Sequence, residues 1–524
     1  MPSTHRRQQD AARRPSRTSG AFVLVCVLAG CAAEGRVAEG SDASMPTLDA
    51  ALDAGTTDDA RPGDAGTTAT DAADTADASS VADARATDAA TTDASPPASP
   101  VRALVAVSED ASAAVRSVTA NAGFVPVYAL DVPVRAGDVL RVRAQIEMTN
   151  DYVSPVRGAI RIVADGVAVG TWSSQNAIFD AGHHMPLWAD ALVATTADAT
   201  VHLEAQLSAG RSDASPSVLV EDSYGHLVVE QHRLFASRSE AASAGAWMLA
   251  SITRDVSEDI ATFGTTGASV RTAAYSIAPV VAAGDRIRVY AQTTSVWTAA
   301  GHDMHGHGIF TGETRIGPWS TENTPWAIQT VPLFSDAWHA VTADGALPLA
   351  VTMHGVVGIG GGVLAGGGHL TALRFTPASG DVVAGSLVAF ADAPVLADGS
   401  IVANSGWQTL VEAPIDANPG DGVRAVGTTL LTHPVGFAQG ISCTVTLELL
   451  AGGAVVSASP IATKYVTPTL EVLPLRADLI LDVGPAGADA ARLRGICSRE
   501  GASPTVGVIG SATRAIVEIF GPPR

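Results

Sequence analysis

Two stretches of the chain, 147 residues apart, are near copies of one another. Val134-Arg-Ala-Gly137-Asp138-Val-Leu-Arg-Val-Arg-Ala-Gln145 returns as Val281-Ala-Ala-Gly284-Asp285-Arg-Ile-Arg-Val-Tyr-Ala-Gln292. A fainter third copy, Ala417-Asn-Pro-Gly420-Asp421-Gly-Val-Arg-Ala-Val426, begins its Gly-Asp turn 136 residues after the second. Each copy is a turn feeding a run of alternating apolar residues, which is the period of a strand with one buried face. A chain built this way has to fold as one β unit made three times.

Further matches fix the unit. Trp172-Ser-Ser-Gln-Asn176 corresponds to Trp319-Ser-Thr-Glu-Asn323, and Gly225-His226-Leu227 to Gly368-His369-Leu370. Asn404-Ser-Gly-Trp407 in the third copy answers Asn121-Ala-Gly-Phe124 in the first. Repeat 1 shows alternating runs at residues 103–107, 124–130, 139–146, 159–163, 201–205 and 226–230, separated by Gly, Asp, Asn and Ser and without helical periodicity. Six to eight short strands in a unit of this size predict an antiparallel β-sandwich of jelly-roll type. The expectation is therefore an all-β chain of three tandem sandwiches over residues 101–236, 237–379 and 380–524, with small polar joints between them. How the three sit against one another is not legible at this level.

The residues ahead of the repeats have a different texture. Arg6, Arg7, Arg13, Arg14 and Arg17 precede a short apolar run from Ala21 to Leu28, far below the roughly 18–20 residues of a spanning helix. Residues 31–100 are Asp-Ala-Thr-Ser repeats, and segment 34–100 holds 14 acidic residues against 3 Arg. Such a segment has too little to bury to offset the entropy of ordering, and its carboxylates repel one another. It reads as a disordered acidic stalk. The formal charge of −21 and the absence of a basic, aromatic-interleaved patch argue against nucleic acid as a partner.

Leu28-Ala29-Gly30-Cys31, after a basic region and an apolar core, resembles the lipobox of bacterial lipoproteins. The resemblance covers residues 1–31 only. It implies a signal peptide over residues 1–30, acylation (palmitate among the chains) of Cys31, and a lipid-bilayer anchor that tethers the chain without spanning the membrane. Ala32, where inner-membrane retention signals of that family often place Asp, leans towards the outer membrane. Export to an oxidising compartment in turn favours a disulfide between Cys443 and Cys497, the only cysteines of the repeat region.

Chemistry concentrates in repeat 2. Gly301-His302-Asp303-Met304-His305-Gly306-His307-Gly308 has no histidine counterpart in repeat 1. His305 and His307, being alternate residues, share one face of an extended segment, and His302 and Asp303 could complete a zinc or copper site. The same spacing is met in solvated Gly-His loops, and both readings stand. His339, His354 and the pair His183-His184 are secondary ligand candidates. Five of the eight Trp belong to repeat 2, and Trp297 and Trp326 fall where a loop could stack them on sugar rings, against the alternative of core packing. No nucleophile elbow, His-Glu-x-x-His, Cys-x-x-Cys or phosphate-binding loop occurs, so no enzymatic activity is expected. The reading is a tethered envelope lipoprotein that presents β-sandwich modules to a carbohydrate or protein ligand. A metal-binding protein is the alternative, and a secreted hydrolase the more distant one.

Overall fold

The computed structural model describes residues 101–521 apart from segments 151–155, 178–182, 212–216, 222–223, 236–246, 257–271, 298–302, 325–329, 356–360, 364–366, 378–384 and 467–471. Cys31, the export segment and the acidic stalk lie outside the described residues, as do both joints between repeats.

Each repeat folds as an antiparallel two-sheet sandwich, its main strands joined by shorter ones. In the first sheet an opening strand (Val101–Asp110, Trp247–Asp255, Leu387–Pro394) pairs with the closing strand (His226–Phe235, His369–Pro377, Arg514–Phe520). The closing strand pairs with the Gly-Asp strand (Val139–Asn150, Arg286–Trp297, Gly422–Thr432), and that with a return strand (His183–Ala194, Thr330–Ala340, Val472–Asp482). The second sheet of repeat 1 runs Val125–Val134, Ala199–Arg211, Val156–Ala164, Val167–Ala177 in space. Repeat 2 uses Thr272–Ile277, Leu349–Gly355, Asp303–Thr311 and Ser320–Thr324 in the same order. Repeat 3 uses Gln408–Ala417, Ala488–Ser498 and Ile441–Ala451, edged by Ala454–Ala458 and Ala462–Val466. In repeat 1 the main strands alternate between the sheets except at the hairpin Val156–Ala164 to Val167–Ala177, which is jelly-roll topology.

The motif that announces the repeats is explained by its turn. Gly137, Gly284 and Gly420 hold φ of 86°, 93° and 86°, a conformation that favours glycine. The Asp that follows accepts a hydrogen bond from the backbone N–H three residues earlier: Asp138 from Arg135 at 2.9 Å, Asp285 from Ala282 and Asp421 from Asn418 at 2.8 Å. From there alternate residues enter the sandwich, Leu140, Val142, Ala144, Ile146 and Met148 in repeat 1. Repeats 2 and 3 each have a comparable apolar core of their own.

The other face of the first sheet is where the sequence expectation was incomplete. Arg141, Arg143, Gln145 and Glu147 alternate with the core residues, yet all four are buried. They are covered by the other two repeats, because the three first sheets close around one another. The opening strands meet at their starts: Arg102 pairs with Leu249, Trp247 with Leu387, and Leu104 N–H donates to Gly385 O at 3.0 Å. A shared apolar cluster including Leu104, Leu249, Leu373, Phe375, Leu387 and Phe520 seals this junction. The result is a closed pseudo-threefold ring. The Gly-Asp turns and the start of the head at Val101 lie at one end of it. The strand ends flanking 151–155, 178–182, 298–302 and 325–329 lie at the other.

Candidate functional site

The residues singled out by sequence separate into three groups. Cys443 and Cys497 stand directly opposite on neighbouring strands, Cα atoms 4.1 Å apart, and are joined as a disulfide inside the repeat 3 core. His305 and His307 lie on the strand Asp303–Thr311 and share a face, as their spacing requires. That face points into the sandwich: both are essentially fully buried, and their Nδ1 atoms meet hydroxyls, His305 with Ser295 at 2.5 Å and His307 with Thr293 at 2.8 Å. These hydroxyls stand on the Gly-Asp strand where repeat 1 has Met148 and Ile146. A polar patch thus sits inside the otherwise apolar repeat 2 sandwich. His302 and Trp326 lie outside the described residues, and Trp297 and Asp303 are placed only as ends of their strands.

Register decides the secondary ligand candidates. In register His354 stands opposite Gly306, between the positions of His305 and His307. His339 sits six residues along its strand from Leu333, the partner of Thr293, a distance of about 20 Å at strand rise. Among the described residues no three His, Cys, Asp or Glu side chains converge in a metal-binding arrangement. His184 contacts Glu147 (3.6 Å) and Thr149 Oγ1 (3.1 Å) and stacks on Tyr224. The described Trp side chains of repeat 2 pack: Trp338 stacks on Phe390, Trp247 meets Phe390 edge-on, and Trp319 meets Phe310.

The dominant polar feature was missed by sequence reading. Arg141, Arg288 and Arg424 occupy one position, four residues after each turn glycine, and are among the largest fully buried side chains. Glu230 and Glu518 lie across from Arg141 and Arg424 on the closing strands; the equivalent place opposite Arg288 is Leu373. The pairing passes round the ring. Glu230 of repeat 1 binds Arg424 of repeat 3, and Glu518 of repeat 3 binds Arg288 of repeat 2 at 3.0 Å. With Leu373 in the third place, Arg141 of repeat 1 lies over the Tyr290 ring of repeat 2, 3.8 Å from its centre. A second layer repeats the logic: Asp478 with Arg143 (3.3 Å), Asp336 with Arg476 (3.4 Å), Asp190 with Arg254 (2.9 Å).

Burial alone would raise these carboxyls. The facing guanidiniums win: Arg424 and Arg141 hold Glu230 well below the ordinary range, and Arg476 with Arg143 bring Asp478 down to about 2. Glu147 shows the opposite balance. Burial, with the nearby Glu221 charge, raises it well above the ordinary range despite a hydrogen bond from Thr463 N–H and the proximity of Lys464. On the axis a cavity of about 20 Å³ is lined by Arg143, Trp188, Asp190, Tyr290, Gln292, His369, Arg476 and Asp478.

No protein-family model and no curated protein matches the chain. Among solved structures, infectious bursal disease virus VP2 in its subviral particle aligns over 81% of this chain and 80% of its own, at 11% identity and a TM-score of 0.19. PNGF-II aligns over 70% of this chain and 99% of its own, at 8% identity and 0.21. The N-terminal CBM22 tandem domain of a Paenibacillus barcinonensis protein aligns over 53% and 94%, at 9% identity and 0.14. TM-scores this low identify neither a common fold nor a shared function.

Proposed function

We propose that the chain is a lipid-anchored protein of the bacterial cell envelope whose rigid triple-jelly-roll head serves binding rather than catalysis. Support for the anchor is the basic-apolar-Leu-Ala-Gly-Cys31 order and the acidic stalk behind it. Support for binding comes from one observation: the head is polarised along its axis. Val101, where the described head begins, is at the end of the tight Gly-Asp turns, while the described strand ends Trp297 and Thr330 are at the other end. Connecting segments between strand ends are where recognition groups of a β-sandwich collect. A glycan or an envelope protein is the proposed ligand class. The described axial carboxylates are each neutralised by a guanidinium and sealed from solvent, so they offer no glycosidase pair.

One observation favours metal as a second reading. The Nδ1 atoms of His305 and His307 are both tied to hydroxyls, the kind of outer contact that orients imidazole ligands. Metal content of the purified chain, with and without His305→Ala, decides between a site and a polar core. The anchor is tested by Cys31→Ser in cells labelled with radioactive palmitate. Label and membrane association should both vanish in the variant; an equally membrane-bound, unlabelled wild type would refute the anchor.

A further inference from the structure

The axial network is not electrically balanced. Among the described residues six guanidiniums take part, those of Arg141, Arg143, Arg254, Arg288, Arg424 and Arg476, against five carboxylates, Asp190, Glu230, Asp336, Asp478 and Glu518. The missing carboxylate is traceable to one position. Repeats 1 and 3 carry Glu230 and Glu518 where repeat 2 carries Leu373. Arg254 is the least buried of the six, yet only 12% of its side chain is exposed, and it closes over Asp190. An uncompensated charge in such surroundings is costly, and proteins neutralise it by pairing.

The cavity beside this network has the chemistry to supply a counter-charge. It is walled by two of the guanidiniums, Arg143 and Arg476, and by Tyr290 and His369. Arg143 Nε, Tyr290 OH and His369 Nε2 are buried polar atoms without a hydrogen-bond partner, on side chains at least nine-tenths buried, although His369 Nε2 stands 3.7 Å from Asp190 Oδ1. Each can donate, provided that the His369 proton sits on Nε2; its Nδ1 faces Thr171 Oγ1 at 3.2 Å. About 20 Å³ is room for one water-sized occupant. We infer that this cavity binds a single monatomic anion, chloride in the first instance, which balances the buried guanidiniums and ties repeats 1, 2 and 3 together. Burial, then the nearby Arg254, Arg141 and Arg476, hold His369 well below its ordinary range, so it faces the cavity as a neutral imidazole. Asp190 and Asp478 also line the cavity, and each is already engaged by guanidiniums.

The test uses bromide as probe on the full chain. Thermal unfolding is followed at fixed ionic strength while bromide replaces gluconate. A specific site gives a rise in Tm that saturates, whereas a general salt effect climbs without saturation. Arg254→Gln removes the surplus charge from a partly exposed position, and Tyr290→Phe removes one donor. The saturable rise should disappear in the first and shift to higher bromide in the second. If either variant fails to fold, bromine anomalous scattering from bromide-soaked wild-type crystals answers instead, with a peak expected among Arg143, Tyr290 and His369. Water alone at that place, or an unsaturable response identical in all three proteins, overturns the inference.

Discussion

Replacing Glu230 by Gln keeps the shape of the side chain and removes its charge from between three guanidiniums. Glu230 is fully buried, binds Arg424 of repeat 3, and lies 3.4 Å from both Arg141 and Arg143 and 3.3 Å from His232. Removing one partner of a buried ion pair costs about 3–5 kcal/mol, because the partner's charge stays behind. For the roughly 420 residues of the head, an unfolding entropy of about 2.1 cal/mol/K per residue amounts to about 0.9 kcal/mol/K. Dividing the first figure by the second gives a fall in Tm of about 3–6 °C if the ring melts as one unit. Scanning calorimetry reads this directly. A split of the peak would show repeat 1 leaving the ring first. Glu313→Gln, on an exposed turn, is the control and should stay within about 0.5 kcal/mol. The double variant Glu230→Gln/Arg424→Gln should cost less than the sum of the singles. Because the Glu230 carboxyl is depressed below its usual 4.5, its contribution is full above that pH and is lost as pH falls towards the folded value, so wild type and variant should converge in acid. A Glu230→Gln melt within about 1 °C of wild type at pH 7, or a strictly additive cycle, would refute the view that ion pairs clamp the ring.

Two further outcomes follow from single features. The Cys443–Cys497 bridge closes a separation of 54 residues, so Cys443→Ser/Cys497→Ser or reduction should cost about 4 kcal/mol in the chain-entropy model, read by urea unfolding of the head. A loss below about 1 kcal/mol would show that the sheet alone holds repeat 3. Glu147→Gln should behave in the opposite sense to Glu230→Gln. The raised carboxyl costs nothing below its ordinary pKa and progressively more as pH rises through the folded value, so the variant should match wild type near pH 4 and exceed its Tm at pH 8. A variant less stable than wild type at pH 8 would mean that the ionised form is the one accommodated.

The jelly-roll units were legible because each strand is written twice in the chain, once as alternation and once as its aligned copy. The Gly-Asp turn could be read for the same reason, since a left-handed glycine followed by an aspartate that closes on the backbone is a local device. The ring was not legible. A strand such as Val139–Asn150 shows one apolar and one polar face, and alternation cannot say whether water or another domain covers the polar one. A signal was present all the same: Arg stands at the fourth place after the glycine in all three copies, Arg141, Arg288 and Arg424. Beyond the turn it is the one charged residue shared by all three copies, and charge held in register within a repeat is hard to explain on a wet surface. His305 and His307 misled in the other direction. Glycine neighbours made them look like a loop, whereas Gly308 is close-packed, a Cβ there standing 3.1 Å from the Trp319 ring.

The polar interior of repeat 2 and the gap in the ring at Leu373 belong to the same repeat, and that coincidence has a physical reading. Three identical units would place a Glu at every junction and apolar residues in every sandwich. Repeat 2 departs from both rules. It holds Ser295, Thr293, His305 and His307 where repeat 1 has Met148, Ile146, Gly158 and Ile160, and it lacks the junction carboxylate. It also receives Lys464, the lysine of repeat 3, in a buried pair with Glu322 at 2.8 Å. Each change weakens repeat 2 as a self-sufficient domain, by costing core burial or by leaving charge to be met from outside. Such losses are tolerable only in a unit held by its neighbours. The closed ring supplies that hold, and it leaves repeat 2 as the unit in which polar chemistry can accumulate without the head unfolding.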